Sequence, residues 1–172
     1  MAHRRRRGTA IVDTPEGILV ASENGKLFLL PGGGAGPHES RKGAAIRELK
    51  EETGLEALNC TYLFSHKGRI HKDLKGGHFW GGHKVFLIKA KGVAEPRREI
   101  KQIAYFNGSN VRLSTTTRRI IDRYNDWKNS VTNYAPIRCT HCGAGLNIPN
   151  PLGLIKCEYC GTTYHEKIAL DT

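Results

Sequence analysis

Residues 33–55 read GGAGPHESRKGAAIRELKEETGL and form the most informative segment of the chain. The pattern predicts a helix over residues 40–53 that ends at Gly54, because glycine tolerates the left-handed backbone of a helix C-cap. Three glutamates lie three and four residues apart within that helix: Glu48, Glu51 and Glu52. At 3.6 residues per turn, their side chains share one helix face over an arc of about 100°. The stretch therefore predicts a glycine-rich loop followed by a helix with a carboxylate face.

Three carboxylates on one helix face resist joint ionisation, and a divalent cation removes that conflict. Magnesium favours carboxylate oxygens together with water and substrate phosphates. On the adjacent side of the helix, Ile46 and Leu49 are predicted to pack against a sheet, while Arg47 is spaced to pair with Glu51. The plainer alternative is a solvated acidic face on a surface helix, and the spacing of the surrounding residues decides between these interpretations.

That spacing extends to nine fixed positions. They follow the pattern Gly-x5-Glu-x7-Arg-Glu-U-x-Glu-Glu-x-Gly-U, in which U is a bulky aliphatic residue. The residues that occupy them are Gly33, Glu39, Arg47, Glu48, Leu49, Glu51, Glu52, Gly54 and Leu55. This pattern is the Nudix box, and the chain resembles the MutT-like Nudix hydrolases. The resemblance implies an α/β fold, an α/β/α sandwich with a mixed sheet, over residues 1–130.

The resemblance also implies a catalytic site for Mg²⁺ or Mn²⁺. Glu51 and Glu52 would bind the metal, Glu48 would contribute directly or through water, and the Gly33 carbonyl would reach a metal. Such ions bridge diphosphate oxygens, neutralise charge on the leaving group and activate the attacking water. The implied reaction is hydrolysis of a phosphoanhydride bond in a nucleoside diphosphate linked to another group.

Four further residues receive roles from the same resemblance. Glu39 and Arg47 would support the geometry of the loop and helix. The family often recruits one more acid from a loop outside the box, for which Glu99 is the first candidate and Glu95 the second. For both acids, the alternative is an ordinary surface glutamate.

The charge balance predicts a polyanionic partner. The 172 residues include 27 Lys and Arg against 16 Asp and Glu, which gives a net charge of +11. Residues 136–172 hold three basic and three acidic residues, so the whole excess lies in the preceding part of the chain. The partner is expected to be a small nucleotide-type substrate, with RNA less favoured.

The predicted substrate contacts are Arg7, Arg69, Phe79 and Trp80. Cations there would bind phosphates, and the aromatic pair would stack on a base. The segment 65–83 that holds three of them is predicted to be a long loop or an irregular hairpin. The alternatives are a solvated loop whose aromatic residues pack on the core and, for residues 4–6, a disordered basic tail.

Several substrate classes stay open. The run Pro31–Gly34 also occurs in Nudix enzymes that act on dinucleoside polyphosphates or diphosphoinositol polyphosphates. Removal of phosphates from the 5′ end of RNA and non-catalytic nucleotide sensing are two others, although the intact glutamate set argues against a sensor. NADH specificity is not inferred, because residues 55–76 lack the Ser-Gln-Pro-Trp-type motif and the cysteine-rich segment follows the box instead of preceding it.

The C-terminal segment 131–172 is predicted to be a linker and a small zinc ribbon. Its two Cys-x-x-Cys-Gly motifs supply the expected Zn²⁺ ligands Cys139, Cys142, Cys157 and Cys160. A closed four-cysteine site indicates a structural role, and the neutral charge of the segment favours a protein contact or a homodimer over RNA binding. The alternatives are an iron site of the rubredoxin kind, a redox disulfide pair, and substitution of a ligand by His141 or His165.

The other elements follow from apolar patterning. Strands are expected over 7–12, 18–21, 26–30, 58–64, 85–88 and 102–106, with a second helix capped by Ser114, a linker over 126–136 and a turn at 150–153. Cys60 is expected to face the core as a small hydrophobe. No apolar run approaches the roughly 20 residues of a membrane span, and no secretion signal is recognisable, so a cytoplasmic protein without membrane contact is expected.

Overall fold

The computed structural model describes residues 3–72, 76–108, 110–132, 139, 141–144, 155–157 and 159–164. It divides the chain into two units, Met1–Arg123 and Tyr124–Thr172. The elements in chain order are β1 (His3–Ile11), β2 (Asp13–Thr14), β3 (Gly17–Ser22), β4 (Gly32–Gly34), α1 (Arg41–Thr53), β5 (Glu56–Lys72), β6 (His78–Lys91), β7 (Gln102–Phe106), α2 (Thr115–Thr132), β8 (Ile155–Lys156) and β9 (Thr163–Tyr164).

The described residues of the first unit form two sheets. The larger has the strand order β4-β1-β6-β5, in which β1 and β6 run parallel and the other neighbours run antiparallel. The smaller has the order β2-β3-β7 and is antiparallel throughout. The expected mixed sheet is therefore confirmed. Val85 and Ile88 lie buried in the interior strand β6, as the continuous apolar run predicted.

Helix α1 begins at Arg41, one residue later than predicted, and ends at Thr53 as predicted. The Ser40 side chain caps its N-terminus by accepting a hydrogen bond from the Gly43 amide, and Gly54 ends it with φ 76° and an amide hydrogen bond to the Lys50 carbonyl. Leu49 is fully buried in the main core cluster, against which Ile46 and Cys60 also pack. The expected apolar side of the helix and the core-facing Cys60 are thus confirmed.

Gly8 in β1 allows α1 to lie directly on the sheet. A Cβ at this position would meet the Arg41 carbonyl oxygen and would lie 2.6 Å from the Ala45 amide nitrogen. These are backbone atoms that cannot rotate away, so we expect Gly8→Ala to lower the free energy of unfolding by about 1–3 kcal/mol. Denaturant midpoints measure the effect. Gly34→Ala is the control, because its Cβ would meet nothing within 4 Å; equal midpoints for both variants would contradict this packing.

The expected strand over 26–30 is wrong. The structure has isolated bridges there, Ala21 to Leu29 and Phe28 to Leu113. Local side chains take the backbone groups that a strand ladder would use: the Asn24 Oδ1 accepts hydrogen bonds from the amides of residues 26 and 27, and the Ser22 hydroxyl donates to the carbonyl of residue 27.

Two expectations about loops are also corrected. Residues 126–132, expected in a linker, continue helix α2, and residues 133–136 lie outside the described residues. Residues 4–6 form part of β1 in parallel pairing with β6, so they are not a disordered tail. In the segment 65–83, the described ends of β5 (up to Lys72) and β6 (from His78) pair as an irregular antiparallel hairpin, with a register shift between Lys67 and Ile70. The turn expected at 150–153 lies outside the described residues.

None of the helices in the described part of the chain combines the length and apolar character that crossing a bilayer requires.

Candidate functional site

Arg47 is the centre of the box in the folded protein. Its Nε donates to the Glu39 Oε1 over 2.9 Å, and its Nη1 donates to the Glu48 Oε1 at 2.9 Å and to the Glu51 Oε2 at 2.8 Å. Its Nη2 donates to the Gly34 carbonyl oxygen over 3.1 Å. The predicted pairing of Arg47 with Glu51 is confirmed. One guanidinium therefore ties the glycine-rich loop to two glutamates of α1.

Glu39 anchors the other end of this arrangement. Its Oε2 accepts hydrogen bonds from the Gly36 amide and from the Arg47 Nη2, each over 3.1 Å. Hydrogen bonding to Arg47, with the Gly36 amide second, lowers the pKa of Glu39 to about 2. The carboxylate therefore stays charged at neutral pH and holds the loop in one conformation.

Glu52 is held by a different contact from Glu48 and Glu51. Its Oε2 accepts a hydrogen bond from the Gly32 amide over 3.1 Å. Partial burial raises the pKa of Glu52 to about 7 against the effect of that hydrogen bond, and the charges of Glu48 and Glu99 raise it further. A nearby cation would stabilise the ionised form of Glu52, because it would offset both the lost hydration and the neighbouring negative charges.

Gly33 packs directly against a box carboxylate. It belongs to β4, where it pairs with Gly8 of β1, and a Cβ in its place would overlap the Glu48 carboxylate. The absence of a side chain at Gly33 therefore lets the loop backbone and the carboxylate of Glu48 occupy adjacent positions. This places the backbone of Gly33 beside Glu48.

The loop after β6 docks on the C-terminal end of α1. The Glu95 amide donates to the Thr53 carbonyl oxygen at 2.9 Å, and the Arg97 amide donates to the Glu52 carbonyl oxygen at 3.0 Å. These two bonds satisfy carbonyls that a helix end leaves without intrahelical partners. They bring Glu99 close enough to Glu52 for its charge to act there.

The two candidate acids of this loop are placed differently. Glu99 acts electrostatically on Glu52, whereas the exposed Glu95 forms an ion pair with Arg97 at 3.8 Å. Sequence reasoning missed Arg98, whose Nη1 lies 2.8 Å from the Glu51 Oε2. Arg98 also has φ 52°, which non-glycine residues seldom adopt. No sequence signal points to it, because its position depends on how the loop docks.

A cleft of about 600 Å³ opens beside the box. Phe79 and His83 line it. Four arginines line it as well, namely Arg5, Arg7, Arg69 and Arg112. No Asp or Glu lines it within the part of the chain that the structure describes. Gly32 also lines the cleft and bonds to Glu52 through its amide, while its carbonyl accepts from the Arg7 Nη2 over 3.1 Å. The cleft and the carboxylates thus meet at Gly32 and Arg7.

Two features of the cleft concern its aromatic and histidine side chains. The Arg5 guanidinium lies 3.6 Å from the centroid of the Phe79 ring. The Thr9 hydroxyl and the His83 Nδ1 are hydrogen-bonded at 2.9 Å. Burial, followed by the charges of Arg7 and His66, lowers the pKa of His83 to about 4, so this imidazole is neutral at pH 7.

Three of the four predicted substrate contacts line the cleft, and Trp80 does not. Consecutive residues of a strand point to opposite faces of the sheet, so Phe79 and Trp80 cannot both face the cleft. The Trp80 ring instead contacts Arg4, with 5.5 Å from the Cζ to the centroid, and Lys67, with 5.1 Å from the Nζ. The structure therefore separates the predicted aromatic pair.

The second unit holds a cluster of thiols. The sulfurs of Cys139, Cys142, Cys157 and Cys160 all lie within 4.8 Å of one another. The Cys139 and Cys160 sulfurs are 3.5 Å apart, and those of Cys142 and Cys157 are 3.7 Å apart. A tetrahedral zinc with Zn–S bonds of about 2.3 Å requires sulfurs roughly 3.8 Å apart, so the donor set fits this ion.

The two cysteine motifs have matching backbones. In the first, the Gly143 amide donates to the Cys139 carbonyl oxygen at 2.8 Å, and in the second the Gly161 amide donates to that of Cys157 at 2.9 Å. The two glycines have φ 73° and 74°, which side chains rarely adopt. Strands β8 and β9 pair beside the second motif. This confirms that the glycines let the backbone turn around the thiols.

The box glutamates are arranged differently from the thiols. Among the described residues, the cysteines are the only group of three or more possible metal-binding side chains with ligand atoms this close together. Glu48 and Glu51 are instead held by arginine, and Glu52 by the Gly32 amide. The arginines therefore set the positions of Glu48 and Glu51, and the glycine-rich loop sets that of Glu52.

Comparison with known proteins agrees with this geometry. The model of the NUDIX domain family matches residues 2–124. The CTP pyrophosphohydrolase of Escherichia coli (strain K12) is 34% identical over 76 residues, which are 41% of this chain and 56% of that protein. The chain thus spans about half the length of this curated relative.

Solved structures share the fold. A Nudix family member from Chromobacterium violaceum has a TM-score of 0.62 and 35% identity, covering 75% of this chain and 81% of that one. The E. coli ORF135 protein has a TM-score of 0.61 and 20% identity, covering 77% of this chain and 96% of that one. Since the family model spans most of the first unit and the loop and helix of the box fold as the pattern requires, this chain belongs to the Nudix family.

Proposed function

We propose that this protein is a nucleotide pyrophosphohydrolase that uses Mg²⁺ or Mn²⁺ to cleave a phosphoanhydride bond in a nucleoside diphosphate linked to another group. The observation that carries the proposal is the junction of an arginine-lined cleft with the box carboxylates at Gly32. The name of the E. coli relative supports it, because CTP is a nucleoside diphosphate linked to a further phosphate.

The residues that would hold the metal are Glu48, Glu51 and Glu52, with Glu99 as a further acid and the Gly33 carbonyl as a neutral ligand. The donor set fits a hard cation, since carboxylate and carbonyl oxygens are the ligands that magnesium favours. The raised pKa of Glu52 supports the fit, because burial and neighbouring acids create the conflict that a divalent cation relieves. When bound, such an ion polarises the diphosphate and activates water.

The other residues would position and orient. Arg47, bonded to Glu39 and two box glutamates, fixes the carboxylates before substrate arrives. Arg7 and Arg69 line the cleft and supply positive charge for phosphate oxygens. The Phe79 ring supplies an apolar face for a nucleobase. Most of the catalytic effect would come from this positioning and from electrostatic stabilisation, as in phosphoryl transfer generally.

We further propose that the chain consists of a Nudix hydrolase domain over 1–130, followed by a linker and a zinc ribbon over 131–172. The sulfur spacing supports structural Zn²⁺, and the ribbon is proposed to contact protein, including a second copy of this chain. Thiols arranged for a metal suit the reducing cytoplasm, which is the proposed location.

The function is tested by measuring phosphate and pyrophosphate release with Mg²⁺ from a substrate panel. The panel contains nucleoside triphosphates, nucleotide sugars, ADP-ribose, NADH, dinucleoside polyphosphates, diphosphoinositol polyphosphates and 5′-triphosphorylated RNA. Turnover of one class that stops when EDTA is added, and resumes with excess Mg²⁺, supports the proposal and names the substrate. Tight nucleotide binding without turnover of any member would favour the non-catalytic sensor instead.

Phe79 and Trp80 provide a matched test of the cleft. We expect Phe79→Ala to raise KM for the preferred nucleotide by about tenfold or more with little change in kcat, since a stacked base contributes roughly 1–3 kcal/mol. Trp80→Ala is the control, because Trp80 does not line the cleft. Steady-state kinetics on both variants measures the difference. A larger rise in KM for Trp80→Ala would show that the substrate binds on the other face of the sheet.

A further inference from the structure

The four consecutive arginines of β1 are divided between the two faces of the larger sheet. Arg5 and Arg7 line the cleft beside the box. Arg4 and Arg6 point to the other face, because strand residues alternate. The proposed hydrolase activity uses Arg7 on the cleft side and gives no role to Arg4 and Arg6.

Arg6 contributes to a second depression of about 290 Å³ on that other face. Its lining residues are Arg6, Ser40, Arg41, Lys42, Tyr62, Lys84 and Phe86. Four of these seven carry a positive charge, and none of them is acidic. Together with Arg4, Lys67 and Trp80, which lie on the same face, these residues are called the second basic face below.

Aromatic rings alternate with cations on the second basic face. Trp80 lies between the Arg4 guanidinium and the Lys67 ammonium, at 5.5 and 5.1 Å from the ring centroid. The Lys84 ammonium lies 5.4 Å from the centroid of the Tyr62 ring, which is 38% exposed. Cations held beside rings in this way can bind phosphates while the ring faces accept bases.

The positive charges here are crowded. Burial lowers the pKa of Arg41, and the charges of Arg4 and Arg6 lower it further. The Arg6 guanidinium donates to the backbone carbonyl of Glu39, not to its carboxylate. These cations repel one another and have no acidic partner among the lining residues, so a bound polyanion would stabilise them.

We propose that the second basic face binds single-stranded nucleic acid. Cations without acidic partners among the lining residues suit a phosphate backbone, and the exposed Tyr62 ring and the half-buried Trp80 ring suit unstacked bases. A duplex keeps its bases stacked on one another and so offers none. An anionic lipid surface would use the cations and leave the two rings without base partners. Because this face lies across the sheet from the cleft, a nucleic acid strand and a small nucleotide can be bound together.

The test uses the full-length protein and a fluorescently labelled single-stranded RNA of 12 nucleotides in an anisotropy titration. The variant Lys42→Glu/Lys84→Glu reverses two charges on the face, and Lys26→Glu/Lys101→Glu reverses two exposed charges elsewhere. We expect the first variant to bind about 10- to 100-fold more weakly at 100 mM salt and the second to stay within about twofold. The slope of log K against log salt concentration should be smaller by about 1.4 for the first variant, because each of the two lost phosphate contacts removes about 0.7.

Stacking gives an independent readout. The chain has two tryptophans, and saturating RNA is expected to quench the fluorescence of the native protein but not that of Trp80→Phe. Circular dichroism confirms that the variants fold. Equal weakening in both charge-reversal variants, or preference for duplex over single strand, would overturn the proposal. Binding to phosphatidylserine vesicles that depends on the same residues, without RNA binding, would also overturn it.

Discussion

Glu52→Gln is expected to lower kcat by at least about 10²- to 10³-fold, the usual loss when a key electrostatic contact to a transition state is removed. Glutamine keeps the size of the side chain, and its oxygen can still accept the hydrogen bond from the Gly32 amide. The fold should therefore persist, with a thermal midpoint no lower than that of the native protein, because the charged carboxylate that is removed carries the cost of burial and of its acidic neighbours. The substitution removes a negative charge that a bound cation would stabilise, since burial and the neighbouring acids Glu48 and Glu99 disfavour that charge without one.

Glu56→Gln is the matched control for this experiment. It makes the same chemical change four residues further on, at a side chain that is 52% exposed and paired with Lys50 at 3.3 Å. Exposed ion pairs of this kind contribute little to stability, so activity and stability should both be retained. Titration with Mn²⁺ in both variants should show weakened metal binding for Glu52→Gln alone. Near-native turnover of Glu52→Gln would remove this residue from the mechanism.

The box could be predicted from the sequence because its determinants are local. The helix start at Ser40, its end at Gly54 and the pairing of Arg47 with Glu51 all depend on residues within one or two turns. Local hydrogen bonds and side-chain pairs of this kind depend on spacing alone. The same holds for the cysteine motifs, where Gly143 turns the backbone around the thiols.

The remaining parts of the site depend on tertiary packing. Glu99 and Arg98 reach the glutamates because the loop after β6 bonds to the end of α1, and such docking has no local pattern. Which of Phe79 and Trp80 faces the cleft depends on the alternation of side chains along β6. Predicting it requires knowing that residues 79 and 80 belong to a strand, which begins at His78. A segment expected to be a loop or an irregular hairpin does not determine that alternation.

The zinc proposal predicts the second large effect. Cys157→Ser is expected to reduce bound zinc from one ion per chain to a small fraction, because Cys157 is fully buried beside Cys142 and serine provides a poor ligand for zinc. Structural zinc sites contribute on the order of 10 kcal/mol of binding free energy, so loss of the ion should remove the amide protection of β8 and β9. Elemental analysis and hydrogen exchange measure the two effects.

Cys60→Ser is the control, since Cys60 packs against the core of the first unit and takes no part in the thiol cluster. It should retain one zinc per chain and native exchange in β8 and β9. The metal content of the native protein also separates the alternatives. Bound iron would indicate a rubredoxin-like centre, and metal-free protein in which the four cysteines form disulfide bonds would indicate a redox pair. Zinc retained by Cys157→Ser at the native level would place the ion elsewhere. Because both serine substitutions remove one thiol, only the position of the lost sulfur can explain a difference between them.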